Sequence, residues 1–474
     1  MATNRFDEVE RKILENIKPT PEDRELLLNT YLKIKENIEK YFKSIGLEAE
    51  ATLQGSVAHD TWLRGDMDID VFVLFPKHIP VEELKTRIFQ YLIDSLKNLG
   101  RVELRYAEHP YAKLFIGRVE ADIVPAYKLS SPKEITTAVD RTPFHTFFVN
   151  SRLNDKLRDD VRLLKKFMKT IGVYGAEIGT RGFSGYAVEL LIIAYGGFRE
   201  VLKASCKWKI PVFIDNLVEE GVDRKELFRY LRKKYPDSII YLPDPVDPFR
   251  NTTANVSLGN VVKMIIASTC YLNNPQPYFF EEDIEIPSRE DIIERLKNSC
   301  IAILGFTIEN LPPECIWGEA LRVADRLAKL LERFDYIVID YSVWTDEKNT
   351  VLIAVEVDEC TKPTYKLYVG PDTIAINRIL DFIKKHVEKN SFGPWIDRDG
   401  NLKAFGRRKH TFIMDILEKR ENEYMVAPHL KKKWLQSILT PDLLDKLISL
   451  DEGLRKWLLK FIVKRERWIR NCIQ

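Results

Sequence analysis

Twelve positions after Ser56 of a Gly55-Ser56 pair, the chain places Asp68-Ile69-Asp70 at the head of an alternating, β-branched run, DIDVFVLF (68–75). Side chains on a strand alternate, so Asp68 and Asp70 share one face while Ile69, Val71 and Val73 take the other. Two carboxylates held side by side repel unless a cation lies between them. Hard oxygen ligands at this spacing suit Mg²⁺, which also takes phosphate oxygens and water. The same short motif occurs at strand starts that merely face solvent, so its neighbours decide its meaning. Gly55 frees the backbone to approach a phosphate, Ser56 can donate its hydroxyl, and residues 57–63 can open a helix whose N–H groups face an anion. A third acid comes from VEADIVP (119–125), where Glu120 and Asp122 share a strand face and one of them can complete a trio. Three carboxylates beside a phosphate-cradling turn are what two-metal phosphoryl transfer requires.

Elements must position these groups. Thr20-Pro21-Glu22-Asp23 has the form of a capping box with proline at the first helical position. Leu27, Tyr31, Ile34, Ile38, Tyr41 and Ile45 then recur at helical spacing as far as Gly46. Residues 80–99 read as a helix, and 102–107, 113–117 and 119–124 as strands, so the first 145 residues are α+β around a small mixed or antiparallel sheet. Helical patterns follow over about 155–205 and 258–271. A proline- and acid-rich stretch at 271–287 reads as a linker. Beyond it, strand 300–308, helix 315–334 and strands 336–344 and 350–358 give a β-α-β-β order, part of a ferredoxin-like or RNA-recognition fold. The expected class is multidomain α+β, divided at 1–145, 146–287, 288–385 and 386–474.

At 474 residues the chain exceeds one compact core, and 45% apolar residues suffice for several. Lys and Arg number 73 against 71 Asp and Glu, so any affinity for nucleic acid must come from charge placed locally. Two such places stand out: KAFGRRKH (403–410) and the Trp-bearing terminal stretch that carries Lys464 and Arg467. Each reads equally well as the solvated face of an amphipathic element. The six cysteines lie far apart with no CxxC pair, which argues against zinc and against a disulfide framework, and predicts a reducing, cytoplasmic setting. The start of the chain has no apolar leader segment and no apolar run is long enough to span a bilayer, so no membrane partner is expected.

GSVAHDTWLRGDMDIDVFVLF (55–75) resembles the signature of the nucleotidyltransferase superfamily that includes DNA polymerase β and poly(A) polymerases. More narrowly, TWLRGDMDIDVF, YAEHPY (106–111), DIVPAYKL (122–129), AVDRTPFH (138–145), VRLLKKF (161–167), GVYGAEIGTRGFSGY (172–186) and DPVDPFRNTTANVS (244–257) resemble the archaeal, class I CCA-adding tRNA nucleotidyltransferases. The blocks are dense over about 53–257 and loose elsewhere.

The resemblance implies a polymerase-β-like head, a helical central domain, an RNP-like body and a small tail. It implies metal ligation and catalysis by Asp68, Asp70 and Asp122 with two Mg²⁺ ions. It further implies nucleotide contacts from Gly55, Ser56, His59, Thr142, His145, Lys165, Tyr174 and Arg250, with Arg250 discriminating bases. The substrates implied are tRNA, held along its acceptor stem and TΨC side, together with CTP and ATP. The tail would then supply tRNA contacts, with Lys403, Arg407, Arg408, Lys464 and Arg467 as candidates. One departure is visible: many members carry arginine three residues after the serine, where this chain has His59, shorter and mostly neutral at pH 7. Arg64 is a nearby basic substitute. Poly(A) polymerase-like or oligoadenylate synthetase-like activity, and an inactive tRNA-binding scaffold, are the alternatives. A homodimer is one assembly the sequence leaves open.

Overall fold

The computed structural model describes residues 5–106, 110–281, 285–309, 311–371, 376–387, 392–430, 432–470 and 472. The YAEHPY block falls partly on 107–109, outside the described residues. The chain forms two compact units, residues 1–285 with 465–474, and residues 286–464.

The first unit opens with α1 (Arg5–Ile17) and α2 (Pro21–Ser44). The expected capping box is present: Thr20 Oγ1 accepts from Asp23 N at 3.2 Å, and Asp23 Oδ2 accepts from Thr20 N at 3.1 Å. There follow β1 (Glu50–Gln54), the single turn α3 (Gly55–Ala58), β2 (Asp68–Phe75), α4 (Val81–Glu83), a π turn (Leu84–Ile88), α5 (Phe89–Leu96), β3 (Arg101–Tyr106), β4 (Pro110–Ile116) and β5 (Val119–Tyr127). The strands form a mixed sheet in the order β1-β2-β5-β4-β3, with β2 and β5 parallel and the other pairs antiparallel. Ile69, Val71 and Val73 are buried in one core with Phe42, Ile88 and Leu92 from the helices. Each such burial is worth about 1.5–3 kcal/mol. A one-residue slip of β2 would drive Asp68 and Asp70 into that core, so the apolar face fixes where the acids emerge. The helix expected over 57–63 is shorter than its sequence suggested. Asp60 adopts a left-handed φ of 54° and ends the turn before a second one forms.

The rest of this unit is mainly helical: α6 (Thr142–Arg152), α7 (Asp155–Thr170), α8 (Gly185–Tyr195), α9 (Phe198–Ser205), β6 (Val212–Phe213), α10 (Arg224–Lys234), β7 (Ile240–Tyr241) and α11 (Leu258–Asn273). Val161, Leu164, Phe167 and Met168 of α7 share a core with Leu190 and Leu191 of α8 and Met264 and Tyr271 of α11.

The second unit contains α12 (Arg289–Lys297), β8 (Cys300–Thr307), α13 (Pro313–Arg333), β9 (Val338–Thr345), β10 (Thr350–Val357), β11 (Tyr365–Val369), α14 (Ile376–Val387), β12 (Phe392–Ile396), β13 (Leu402–Arg407), α15 (Ile413–Lys419), α16 (Glu421–Tyr424), β14 (Lys432–Ile438), α17 (Pro441–Ile448) and α18 (Glu452–Val463). Its main sheet runs β14-β8-β10-β9, all antiparallel. Counting only the four strands of this sheet, that is 4-1-3-2, the ferredoxin-like order expected from the β-α-β-β pattern. A second sheet, β11-β13-β12, is inserted between its third and fourth strands. The short α19 (Arg467–Arg470) belongs to the first unit, against α11.

The reading of the cysteines needs correction. Cys270 pairs with Cys472 and Cys300 with Cys360, at sequence separations of 202 and 60. Only the fold brings such distant thiols together, which spacing alone does not reveal. Among the described residues no helix is long and apolar enough to cross a membrane.

Candidate active site

Asp70 and Asp122 face one another in register across the parallel pair β2/β5, with Asp68 opposite Glu120 one step along. Burial pushes the Asp70 carboxyl up to about 6, reinforced by the charges of Asp122 and Asp68. Burial also raises Asp68, with Glu120 adding to it, and raises Asp122 against the pull of Lys113. Of the two acids on β5, Glu120 is tied to Lys113 Nζ at 3.0 Å. Asp122 Oδ1 is buried without a hydrogen bond and lies 3.7 Å from the same ammonium. An orphaned carboxylate oxygen beside two carboxyls that resist ionisation is a donor set that wants a cation. Hard carboxylate oxygens such as those of Asp68, Asp70 and Asp122 are the donor type that Mg²⁺ takes. Among the described residues no group of three or more His, Cys, Asp or Glu side chains is placed to hold a metal ion by itself. The remaining ligands of a divalent ion would therefore be phosphate oxygens and water, as Mg²⁺ prefers. Gly55 sits directly against this face at φ +67°; a β-carbon there would stand 2.0 Å from Asp70 Oδ2. Ser56 follows in the same turn, half-buried.

His59, Lys165 and Tyr174 meet around a residue that the sequence reading passed over. Glu189 on α8 is buried, and both its oxygens lie 3.0 Å from His59 Nδ1. It also accepts from the Thr61 hydroxyl and lies 3.8 Å from Lys165 Nζ. Lys165 Nζ donates to Thr61 O at 3.0 Å and to Thr61 Oγ1 at 3.1 Å. His59 Nε2 is 3.0 Å from Thr146 Oγ1 on α6. Burial lowers the Lys165 ammonium and would raise Glu189. The charges of His59 and Lys165 outweigh that penalty and keep the Glu189 carboxyl below its ordinary value. His59 is thus a buried strut 4% exposed, where an arginine reaching for a triphosphate was the family pattern. Burial raises the Tyr174 hydroxyl. A β-carbon on Gly185 would stand 3.1 Å from its Oη and 4.0 Å from Lys165 Cε, so Tyr174 borders the same cluster.

A second buried acid organises His145 and Arg250. Asp244 Oδ2 lies 2.9 Å from His145 Nε2 and accepts from Arg250 Nη1 at 2.8 Å, while Oδ1 accepts from Tyr186 Oη at 3.1 Å and Val246 N at 3.0 Å. The His145 ring stacks on Tyr186 at 4.1 Å. Burial would raise Asp244, yet the His145 hydrogen bond and charge lead a set of contacts that hold it down at about 2. Thr142 is the first residue of α6, one turn before His145.

The candidate tRNA contacts divide. Lys403 pairs with Asp397, Arg408 with Asp335, Lys464 with Asp340 and Glu356, and Arg467 with Glu281. Arg407 is exposed and has no ion pair among the described residues.

Glu189 and Asp244, the buried acids at the centre of these two clusters, were given no role by the sequence reading. Their signals were an acid interrupting the apolar run 188–195 and an aspartate opening the proline-rich block 244–257. A buried charge is retained only where partners satisfy it.

The family model described as "Nucleotidyltransferase domain" matches residues 35–145, "tRNA nucleotidyltransferase, second domain" matches 159–281, and "CCA-adding enzyme, C-terminal domain" matches 297–435. The CCA-adding enzyme of Saccharolobus shibatae is 37% identical over 462 residues, covering 98% of this chain and 100% of that protein. Those of Sulfurisphaera tokodaii and Sulfolobus acidocaldarius are 40% identical over 403 residues and 36% over 468, covering 85% and 98% of this chain and 89% and 100% of those proteins.

Proposed function

We propose a mechanism on one premise: this chain belongs to the CCA-adding tRNA nucleotidyltransferases. Its activity is the template-independent addition of C, C and A to the 3′ end of tRNA from CTP and ATP, with release of pyrophosphate. The observation that carries this reading onto the site is the register of Asp70 against Asp122, with Gly55 cleared of any side chain beside them.

Asp68, Asp70 and Asp122 would hold two Mg²⁺ ions. When bound, these would supply Lewis-acid activation of the hydroxyl and neutralise the leaving pyrophosphate. Asp122, whose Oδ1 has no hydrogen bond, would take the proton of the terminal ribose hydroxyl. The ribose oxygen bonds to the α-phosphorus, the bond from that phosphorus to the bridging oxygen breaks, and pyrophosphate leaves with the electron pair. Gly55 and Ser56 admit the triphosphate close to the backbone, and Lys165, steadied by Thr61, brings a positive charge to its side of the site. Arg250 and His145, locked on Asp244, present a fixed hydrogen-bonding edge to the incoming base, which is how a single site can prefer C and A.

The test is extension of tRNA lacking its CCA end, with Mg²⁺ and CTP, ATP or both. Two C residues with CTP alone and a third addition only with ATP support the reading. Long A tails would move the chain to the poly(A) branch, and tRNA binding without extension would make it a scaffold.

A further inference from the structure

One row of side chains crosses the sheet of the first unit on the face turned away from its core. Gln54, Asp70, Asp122, Lys113 and Glu103 stand in register on β1, β2, β5, β4 and β3. Lys113 is thus the direct cross-strand neighbour of Asp122. Its place there is enforced by Ala112 and Leu114, which flank it and are buried in the core behind it. Its ammonium lies 3.0 Å from Glu120 Oε2 and 3.7 Å from Asp122 Oδ1. Glu103, the acid on its other side, is engaged by Arg101 and, at 2.8 Å, by Arg105, so it does not draw the lysine away from the aspartates. The Lys113 side chain is 23% exposed, and salt screens charges held at this depth less than charges in open water.

A divalent ion would take these aspartates as acceptors, yet a cation already stands beside them. Like charges repel, so a bare ion entering this face works against the Lys113 ammonium. An ion already chelated by the phosphates of a nucleoside triphosphate arrives in a complex of net negative charge, which the same ammonium attracts. We propose that Lys113 is a tethered counter-ion of the aspartate face, which disfavours a bare divalent ion relative to one delivered by the nucleotide. The inference rests on the metal-binding role proposed above for Asp68, Asp70 and Asp122. Glu120 is the tether: it holds the ammonium beside Asp122 but beyond hydrogen-bond distance, so that Asp122 Oδ1 stays available. Lys113 acts through Asp122, which makes it a positioning residue. The consequence is an order of events, in which metal is taken up together with the substrate nucleotide and not before it.

The test is titration of the full chain with Mn²⁺ alone, at one alkaline pH and without nucleotide, the free ion being followed by electron paramagnetic resonance. Lys113→Met and Lys113→Gln remove the charge and keep an unbranched stem, whereas Lys113→Arg keeps the charge. Both neutral variants are expected to bind Mn²⁺ about tenfold more tightly than the parent, and Lys113→Arg about as the parent does. Damage to the fold does not produce a gain in affinity. The factor by which CTP tightens Mn²⁺ binding, measured without tRNA so that nothing turns over, should shrink by at least as much in the neutral variants. Unchanged or weaker Mn²⁺ binding in both neutral variants would overturn the proposal. So would equal tightening in Lys113→Arg, since crowding and not charge would then be the cause. Asp70→Asn separates this role from the reading beneath it. Where Asp70→Asn weakens Mn²⁺ binding and the Lys113 variants leave it unaltered, the counter-ion role alone falls. Where Asp70→Asn leaves Mn²⁺ binding intact, the ion sits elsewhere, and the metal assignment falls together with this role.

Discussion

Gly55 packs against Asp70 with no room for a side chain between them, since a β-carbon at 55 would lie 2.0 Å from the Asp70 carboxylate and 2.9 Å from its Cγ. The positive φ at Gly55 adds a second reason for glycine. Gly55→Ala is therefore expected to displace Asp70 and reduce kcat for C addition about a hundredfold or more, as small misplacements of reacting groups do. The fold should survive, because the turn lies at the rim of the sheet. A melting temperature within a few degrees of the parent, alongside lost activity, checks this. Near-normal activity would mean that Asp70 is not held where the chemistry needs it.

Asp70 sets the acid side of metal binding. Its carboxyl titrates near 6 in the metal-free fold and near 3.8 when unfolded. A cation must displace that proton, so Mg²⁺ or Mn²⁺ affinity should fall about tenfold per pH unit below 6, measured by calorimetric titration. The stability sign is opposite to that of a paired carboxylate. The folded state keeps a proton that the unfolded state has lost, so the metal-free protein loses stability as pH rises from about 4 to about 6. Asp70→Asn removes both effects. A pH-independent metal affinity would sink the assignment.

Glu189 is the common partner of His59, Thr61 and, more distantly, Lys165. Removing one member of a buried charged cluster strands the others, and Glu189→Ala should lower unfolding free energy by about 3–5 kcal/mol in urea titrations. His59→Arg, which would return the usual family residue, must fit a longer side chain into a site 4% exposed. We expect it to cost about 1–3 kcal/mol and to lower triphosphate affinity instead of improving it. A tighter KM for CTP in that variant would show that the pocket opens for arginine.

Asp244 behaves as a depressed buried carboxylate, near 2 in the fold against 3.8 unfolded. Its stabilisation is present above about pH 4 and is lost as pH falls towards 2. Asp244→Asn should therefore flatten the acid limb of the stability curve and cost about 2 kcal/mol at pH 7. The same change frees Arg250 and His145, so misincorporation of UTP or GTP should rise more than kcat falls. Unaltered nucleotide selection would remove base reading from this pair.

The aspartate face could be read from sequence because its determinants are local. Period-two alternation in 68–75 and 119–125 fixes which acids share a face, and one short turn supplies Gly55. What could not be read is whatever needs distant segments to meet. His59 and Glu189 are 130 residues apart, His145 and Asp244 are 99, and Cys270 and Cys472 are 202. The ferredoxin-like order was half visible in β8-α13-β9-β10, but its fourth strand, β14, lies beyond the inserted sheet β11-β13-β12. No periodicity joins strands separated in that way. The basic clusters were legible only in part: charge can be read in sequence, whereas the acids that pair with Lys403, Arg408, Lys464 and Arg467 cannot. Asp335 decides that Arg408 is a buttress and leaves Arg407 unpaired.

Residues 465–474 group with the first unit although nearly two hundred residues of the second separate them from it. During synthesis, the nucleotide-binding unit therefore emerges long before its last helix does. Trp468, buried in that unit's core, reaches it only after residues 286–464 have left the ribosome. Until then α11 lacks its contact with α19 and the partner of Cys270. A stalled or prematurely ended chain would carry the aspartate face on a unit whose core still lacks Trp468.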